Sequence, residues 1–148
     1  MSDAIVPHSG ITDSLSANEF AVEIDGQRAT GVFKVGKFVS FQLDVKPTQI
    51  KFERPPFTVS RMVQRDPGLP FNRWIQDTVK AKDDIVRPKR TLTLIALDDG
   101  VEIRRWAVNG AWISAIQYSD FDSGSSALVE ETVTVQYDSI VETWWNAG

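Results

Sequence analysis

Apolar and polar residues alternate along most of this chain with the period of two that gives a strand two unlike faces. In Asn18–Ile24, Phe20, Val22 and Ile24 alternate with Glu19, Ala21 and Glu23, a half-buried strand that Asp25-Gly26 turns. Thr30–Phe41 is a second β-rich stretch, with a turn or bulge expected at Gly36. Phe57–Val63 resumes the alternation. In Arg90–Trp106, Leu92, Leu94 and Ala96 alternate with Thr91, Thr93 and Ile95. Asp99-Gly100 has the residues of a tight hairpin turn, and Val101, Ile103 and Arg105 carry the pattern back. Trp106 breaks the phase, which predicts a bulge nearby. Glu131–Tyr137 places Val133, Val135 and Tyr137 on one face.

The period changes once. After Asp66-Pro-Gly-Leu-Pro70, the apolar residues Phe71, Trp74, Ile75 and Val79 form one helical stripe, with Pro70 suited to the first turn, where its missing N–H costs nothing. This helix must end before Pro88, with Lys80 and Lys82 near the negative end of its dipole. Residues 42–56 contain Pro47, Pro55 and Pro56, so an extended loop or irregular hairpin is expected there rather than a central strand. The pattern is therefore mainly β with one α-helix. Residues 1–17 read as a flexible N-terminal arm and 18–148 as a single β domain.

Composition narrows the function classes. Hydrophobic and charged fractions of 42% and 24% are those of a soluble globular domain. A net charge of −4 argues against a broad nucleic-acid surface and sequence-specific nucleic-acid binding. There is no cysteine, which excludes disulfides, thiolate metal sites and thiol catalysis. No apolar run is long enough to span a membrane, so no membrane insertion is expected. Met1–His8 has neither a basic start nor a long apolar region, so we expect synthesis in the cytoplasm without a signal peptide.

Candidate chemistry is sparse. Gly31-Val-Phe-Lys-Val-Gly-Lys37 has the glycine spacing of a phosphate loop. However, Phe38 stands where a hydroxyl must bind magnesium, and no helix follows. His8, the one histidine, has no partners for a triad or metal cage. Asp98-Asp99 and Glu130-Glu131 are neighbours in strand-like sequence. Their side chains point to opposite faces, so turn and solvated-edge roles are expected. Arg87-Pro-Lys-Arg90 is a basic stretch in a connection, read as a solvated loop. No catalytic, cofactor or metal residue is assigned, and no enzyme is expected. Of the five tryptophans, Trp74 reads as core, and Trp106 and Trp112 as strand residues packing beneath the helix. Trp144 and Trp145 are adjacent, so one faces away from the core beside Val141. A subunit interface and a clamp over the domain's own edge both fit.

The order of these features resembles the tail tube proteins of contractile phages and contractile injection systems, relatives of the inner-tube protein of type VI secretion. The carrying residues are Asn18–Gly26, Gly31–Gly36, Phe57–Arg61, the helix with Trp74, Lys89–Asp98 leading to Arg105-Trp106, Asn109–Trp112, and Val129–Tyr137, together spanning about 18–141. The resemblance implies two packed antiparallel sheets, a β-sandwich or barrel, with a flanking helix. It also implies hexameric rings whose sheets join around a lumen, stacked into a tube that a contracting sheath drives through an envelope. Implied partners are further copies, sheath, baseplate, other tube subunits and lumen cargo. Between Gly36 and Phe57 the chain departs from the family pattern: Lys46–Pro56 replaces a longer, glycine-containing excursion used between stacked rings. The resemblance therefore marks Lys46, Pro47, Gln49 and Lys51 as candidate interface residues, alongside Trp144 and Trp145. A tube-initiator or baseplate-adaptor subunit is the alternative within that family, and a monomeric β-rich binding module the alternative outside it. Thr132, Thr134 and Gln136 fit a wet channel wall or an ordinary solvent face.

Overall fold

The computed structural model describes residues 14–144. His8, Trp145 and most of the expected arm lie outside them. The strands are β1 (Phe20–Ile24), β2 (Gln27–Arg28), β3 (Val32–Gly36), β4 (Leu43–Lys46), β5 (Gln49–Phe52), β6 (Phe57–Met62), β7 (Arg90–Asp98), β8 (Val101–Tyr118), β9 (Glu130–Gln136) and β10 (Ser139–Trp144). The helix α1 is Pro70–Ala81. All described pairings are antiparallel.

β8 organises the fold. Its first half lies between β7 and β10, and its second half pairs with β9, so one long strand belongs to two sheets. One sheet runs β2-β1-β7-β8-β10 and the other β8-β9-β6-β3; β4 and β5 form a separate hairpin. The strand changes sheet at Gly110. The β7 register slips there, from Arg90↔Ala111 to Leu92↔Val108, and Gly110 takes φ +63. A Cβ at this position would collide with the Asp138 carboxylate, so a bulge and a missing side chain together make the bend.

The core lies where the alternating patterns meet: Val22, Ile24, Leu92 and Val108 from one sheet, Phe57, Val59, Ile113, Val133 and Val135 from the other, and Phe71 and Trp74 from α1. Burying side chains of this size stabilises the fold by roughly 1.5–3 kcal/mol each. The buried face of α1 is Phe71, Trp74 and Thr78; Val79, expected on the stripe, is exposed. The indole N–H of Trp74 donates to the Pro88 carbonyl at 2.9 Å, tying the helix to the connection that follows it. The helix stops at Ala81 because Lys82 turns left-handed (φ 50) and donates its N–H to Val79.

Three expectations need correction. Trp106 does not pack beneath the helix. Its ring meets Phe38 edge-on at 5.9 Å, while Trp112 sits under the Arg87 guanidinium. β7, read as a strand with two unlike faces, is buried on both, with Leu92 and Thr93 adjacent and both inside and Ile95 following, opposite Arg105 of the neighbouring strand. Glu131, expected at a solvated edge, is buried against Arg61, because the inward face of β9 that carries Val133 and Val135 also carries Glu131.

Candidate assembly surfaces

The prolines at 47, 55 and 56 frame a regular hairpin. Leu43, Asp44, Val45 and Lys46 pair with Phe52, Lys51, Ile50 and Gln49 across a turn at Pro47-Thr48. The root is tied down at several points. Gln42 donates to the Glu53 carboxylate at 2.7 Å, and the Glu53 N–H donates to the Gln42 carbonyl at 2.9 Å. Arg54 Nε donates to the Asp138 carbonyl at 2.6 Å, and the Tyr137 hydroxyl to the Pro55 carbonyl at 3.0 Å.

Strand periodicity gives the hairpin two chemistries. Asp44, Lys46, Gln49 and Lys51 share one face, and Pro47 stands in the turn. The opposite face carries Leu43, Val45, Ile50 and Phe52. Phe41 adds an edge-to-face ring pair with Phe52 at 5.5 Å. Phe41, Val45, Ile50 and Phe52 are 64–68% exposed. The resemblance pointed to Lys46, Pro47, Gln49 and Lys51, which lie on the polar face and at the tip. It missed the apolar face, whose signal was the short alternations Leu43-x-Val45 and Ile50-x-Phe52.

The second surface is β10. Ser139–Trp144 pairs with Asn109–Arg104 of β8, and its other edge pairs with no strand among the described residues. Trp144 lies at the end of that edge, exposed, with the Arg104 guanidinium 3.5 Å from its ring centroid and Glu142 3.7 Å from Arg104. Ile140 and Glu142 share the face of Trp144, while Val141 points the other way. The two surfaces meet at their roots, where Phe41, Phe52, Arg54, Tyr137 and Ile140 line a small hollow.

A third surface is the outer face of the β8-β9-β6 sheet. Thr58 and Ser60 stand opposite Thr134 and Thr132, with a hydroxyl–hydroxyl bond of 2.8 Å between Ser60 and Thr132. The Gln136 amide donates to Ser114 at 3.2 Å. This face is hydroxyl-rich, with Glu130 at the end of its β9 row and Lys34 of β3 opposite Ser60 at its edge.

The titratable groups serve structure. Arg61 Nε bonds Glu131 at 2.8 Å, its Nη2 donates to Asn72 of α1, and its guanidinium lies 4.4 Å from the Phe71 ring centroid. Two N–H bonds from Arg105 hold the Glu102 carboxyl below its usual range. Burial raises the Tyr137 phenol. Burial, and then the bond to Glu131, raises that of Tyr118. The basic stretch is equally committed: Arg87 donates to the Lys82 and Asp84 carbonyls, Lys89 pairs with Asp138, and Arg90 with Asp77. Gly31–Lys37 is β3 and its flanks, with no helix following. Among the described residues no cluster of His, Cys, Asp or Glu could hold a metal ion, and no helix is long and apolar enough to cross a membrane.

Among the described residues, two antiparallel sheets sharing one bent strand, a single flanking helix and a projecting amphipathic hairpin define a mainly β domain with unpaired outer strand edges. The chain belongs to the T4-like virus tail tube protein gp19 family, with a match over residues 16–141. It is thus a tail tube protein of the phage type. Comparison with curated proteins found no match. Among solved structures, it is similar to a chain of the sheath-tube complex of PVC, an extracellular contractile injection system. That chain has 14% identity and a TM-score of 0.69, with 91% of this chain and 95% of the other covered. A chain of the anti-feeding prophage tube-terminating cap has 15% identity and a TM-score of 0.70, covering 97% of both. Hcp1 from Flavobacterium johnsoniae has 10% identity and a TM-score of 0.56, covering 86% of this chain and 96% of the other.

Proposed function

We propose that this chain forms hexameric rings that stack into the hollow inner tube of a contractile particle, driven through a target envelope by a contracting sheath. The observation that carries this reading is the projecting hairpin, tied at its root yet exposing an apolar face that no other described residue covers. Monomeric proteins rarely leave such a face open without a partner. The free edge of β10 suits contact within a ring, because closing a ring removes edges that otherwise aggregate. The hydroxyl face of Thr58, Ser60, Thr132 and Thr134 suits a wet channel wall. The chain acts by assembly, without catalysis or cofactor. It is made in the cytoplasm and works with sheath, baseplate and cargo. The short 36–57 excursion favours an initiator or adaptor subunit as the second reading.

Electron microscopy of the purified protein with light scattering tests this. Six-fold rings or tubes are expected; a uniform monomer at all concentrations, with no rings on a baseplate template either, would overturn it. Trp144→Ala and Trp145→Ala should weaken assembly more than folding. Deleting 42–56 should leave rings that do not stack.

A further inference from the structure

The sheet that contains β1, β7 and the first half of β8 has an inner face that is not fully covered. β3, the last strand of the other sheet, pairs only with β6 among the described residues. Beside its unpaired edge lies an open cleft of about 430 Å³, walled by Phe20, Phe33, Val35, Leu94, Ala96 and Trp106. Phe20, Val35 and Leu94 also pack against the buried core, so the cleft is the open end of that core. Phe33 is the extra residue of a bulge, since Val32 pairs with Arg61 and Lys34 with Ser60, and it stands 42% exposed.

The rest of the wall is the chain's own entry into the fold. Leu15, Ser16 and Ala17 line the cleft. The Glu19 N–H donates to the Ser16 carbonyl at 3.3 Å, closing a turn that directs the chain before it back toward β1. Residues 1–13 precede the described chain, and the family match begins only at Ser16. In extended backbone alternate residues share a face, and Ile5, Pro7 and Ile11 fall on the face of Leu15. Ile11 is four residues from Leu15, a reach of roughly 13 Å at about 3.3 Å per residue.

We propose that residues 5–11 fold back within the same chain and seat Ile11 in this cleft, with Pro7 and Ile5 following on the same face. A cleft of this volume is in the range that takes a compact apolar ligand, so a few aliphatic side chains fit. The tether decides the occupant. A segment joined to the wall by so few residues meets the cleft at an effective concentration on the order of millimolar, above that of any second copy in dilute solution. Seated there, the segment also covers Phe33 and the unpaired edge of β3. Covering an edge strand with a loop is one way proteins keep it from pairing with unwanted chains. The N-terminal segment is therefore an intramolecular guard of that edge, a role that holds for the single chain whether or not rings form.

Because the chain has no cysteine, the seat can be read by cross-linking. Ser9→Cys/Ala96→Cys keeps every large apolar side chain of segment and cleft. A short bis-maleimide should link the two within one chain, giving a faster-migrating monomer whose yield does not change with protein concentration. Ser9→Cys/Arg28→Cys places the second thiol on β2, on the side of β1 away from the cleft, and should link at least tenfold less. Equal yields from the two pairs, or no link in either, would overturn the proposal. Linked dimers that grow with concentration would assign the cleft to another copy and overturn it equally. Ile11→Asp leaves the cleft wall intact and should raise the fluorescence of an apolar-surface dye several-fold with unchanged far-UV circular dichroism. Dye binding equal to the parent's would show that Ile11 covers nothing.

Discussion

Replacing Glu131 with Gln isolates the buried ion pair that ties the β9-β6 sheet to the helix through Asn72. Arg61 and Glu131 are directly opposite on β6 and β9, 1% and 3% exposed, with their atoms 2.8 Å apart. The amide keeps an acceptor for Arg61 Nε but removes the carboxylate bonded to this buried cation. One guanidinium nitrogen, Nη1, already lacks a partner among the described residues. Leaving a buried charge uncompensated costs about 3–5 kcal/mol, and the retained hydrogen bond puts Glu131→Gln near ~3 kcal/mol. A chain of this length loses about 2–4 °C of Tm per kcal/mol, so a fall of roughly 6–12 °C is expected by calorimetry or circular dichroism. The decisive comparison is Arg61→Met/Glu131→Leu. Removing both charges also removes their desolvation cost, so the double variant should recover to within about 1–2 kcal/mol of the parent. The remainder reflects the lost contacts to Asn72 and Phe71. A Glu131→Gln variant within about 0.5 kcal/mol of the parent would refute this reasoning, as would a double variant worse than the sum of its singles.

Gly110→Ala must displace the Asp138 carboxylate and adopt a left-handed backbone. A loss of about 2–3 kcal/mol in urea unfolding is expected. Gly26→Ala, with φ +81 but open space around its Cβ, should lose only ~1 kcal/mol; equal losses would show that the collision is unimportant. The Glu19 carboxylate accepts the Asp99 and Gly100 N–H groups at 2.9 and 2.8 Å, so Glu19→Ala should cost about 1 kcal/mol and speed hydrogen exchange at that turn. The chain's two tyrosines, Tyr118 and Tyr137, are both raised, so the folded state binds their protons more tightly than the unfolded state does. Their contribution is complete below about pH 10 and falls as pH rises through the folded values. Phenolate absorbance should therefore develop at higher pH in the native protein than in urea, and coincident curves would contradict the assignment.

The strand pattern was legible wherever one face meets the core: Phe57, Val59, Val133, Val135 and Tyr137 all lie inward as their alternation predicts. The helix was equally legible from Phe71 and Trp74. Failures came where a long-range pairing overrode the local pattern. Arg61 and Glu131 sit at inward positions of their own alternations, yet only the pairing of β6 with β9 makes two charges seventy positions apart into one buried unit. Val79 followed the helical period but is exposed, at an open hollow beside Ile113–Ile116 of β8 that nothing described fills. Among the interface candidates, the polar tip was legible from the departure at Lys46–Pro56. The apolar face was hidden because prolines at 47, 55 and 56 argued against strands; they occupy the turn and the exit instead, where no ladder donor is needed.

The candidate surfaces are not mechanically independent. Asp138 separates β9 from β10, and its N–H bonds the Asn109 carbonyl at 2.9 Å, one residue before the Gly110 bend. Its carbonyl holds Arg54 at the hairpin root, and its carboxylate fills the space beside Gly110 and pairs with Lys89 at 3.1 Å. Tyr137, one position earlier, is buried and holds Pro55. A hairpin that swings must break Arg54 from Asp138 or carry Asp138 with it, and moving Asp138 redirects β10 where it leaves the corner. In the proposed assembly, hairpin and β10 edge would be geared through Tyr137-Asp138. Arg54→Ala separates the two effects: it leaves both surfaces chemically intact, so tubes of altered twist or unequal ring spacing point to the corner. Tubes indistinguishable from the parent's would show that hairpin and edge are set independently.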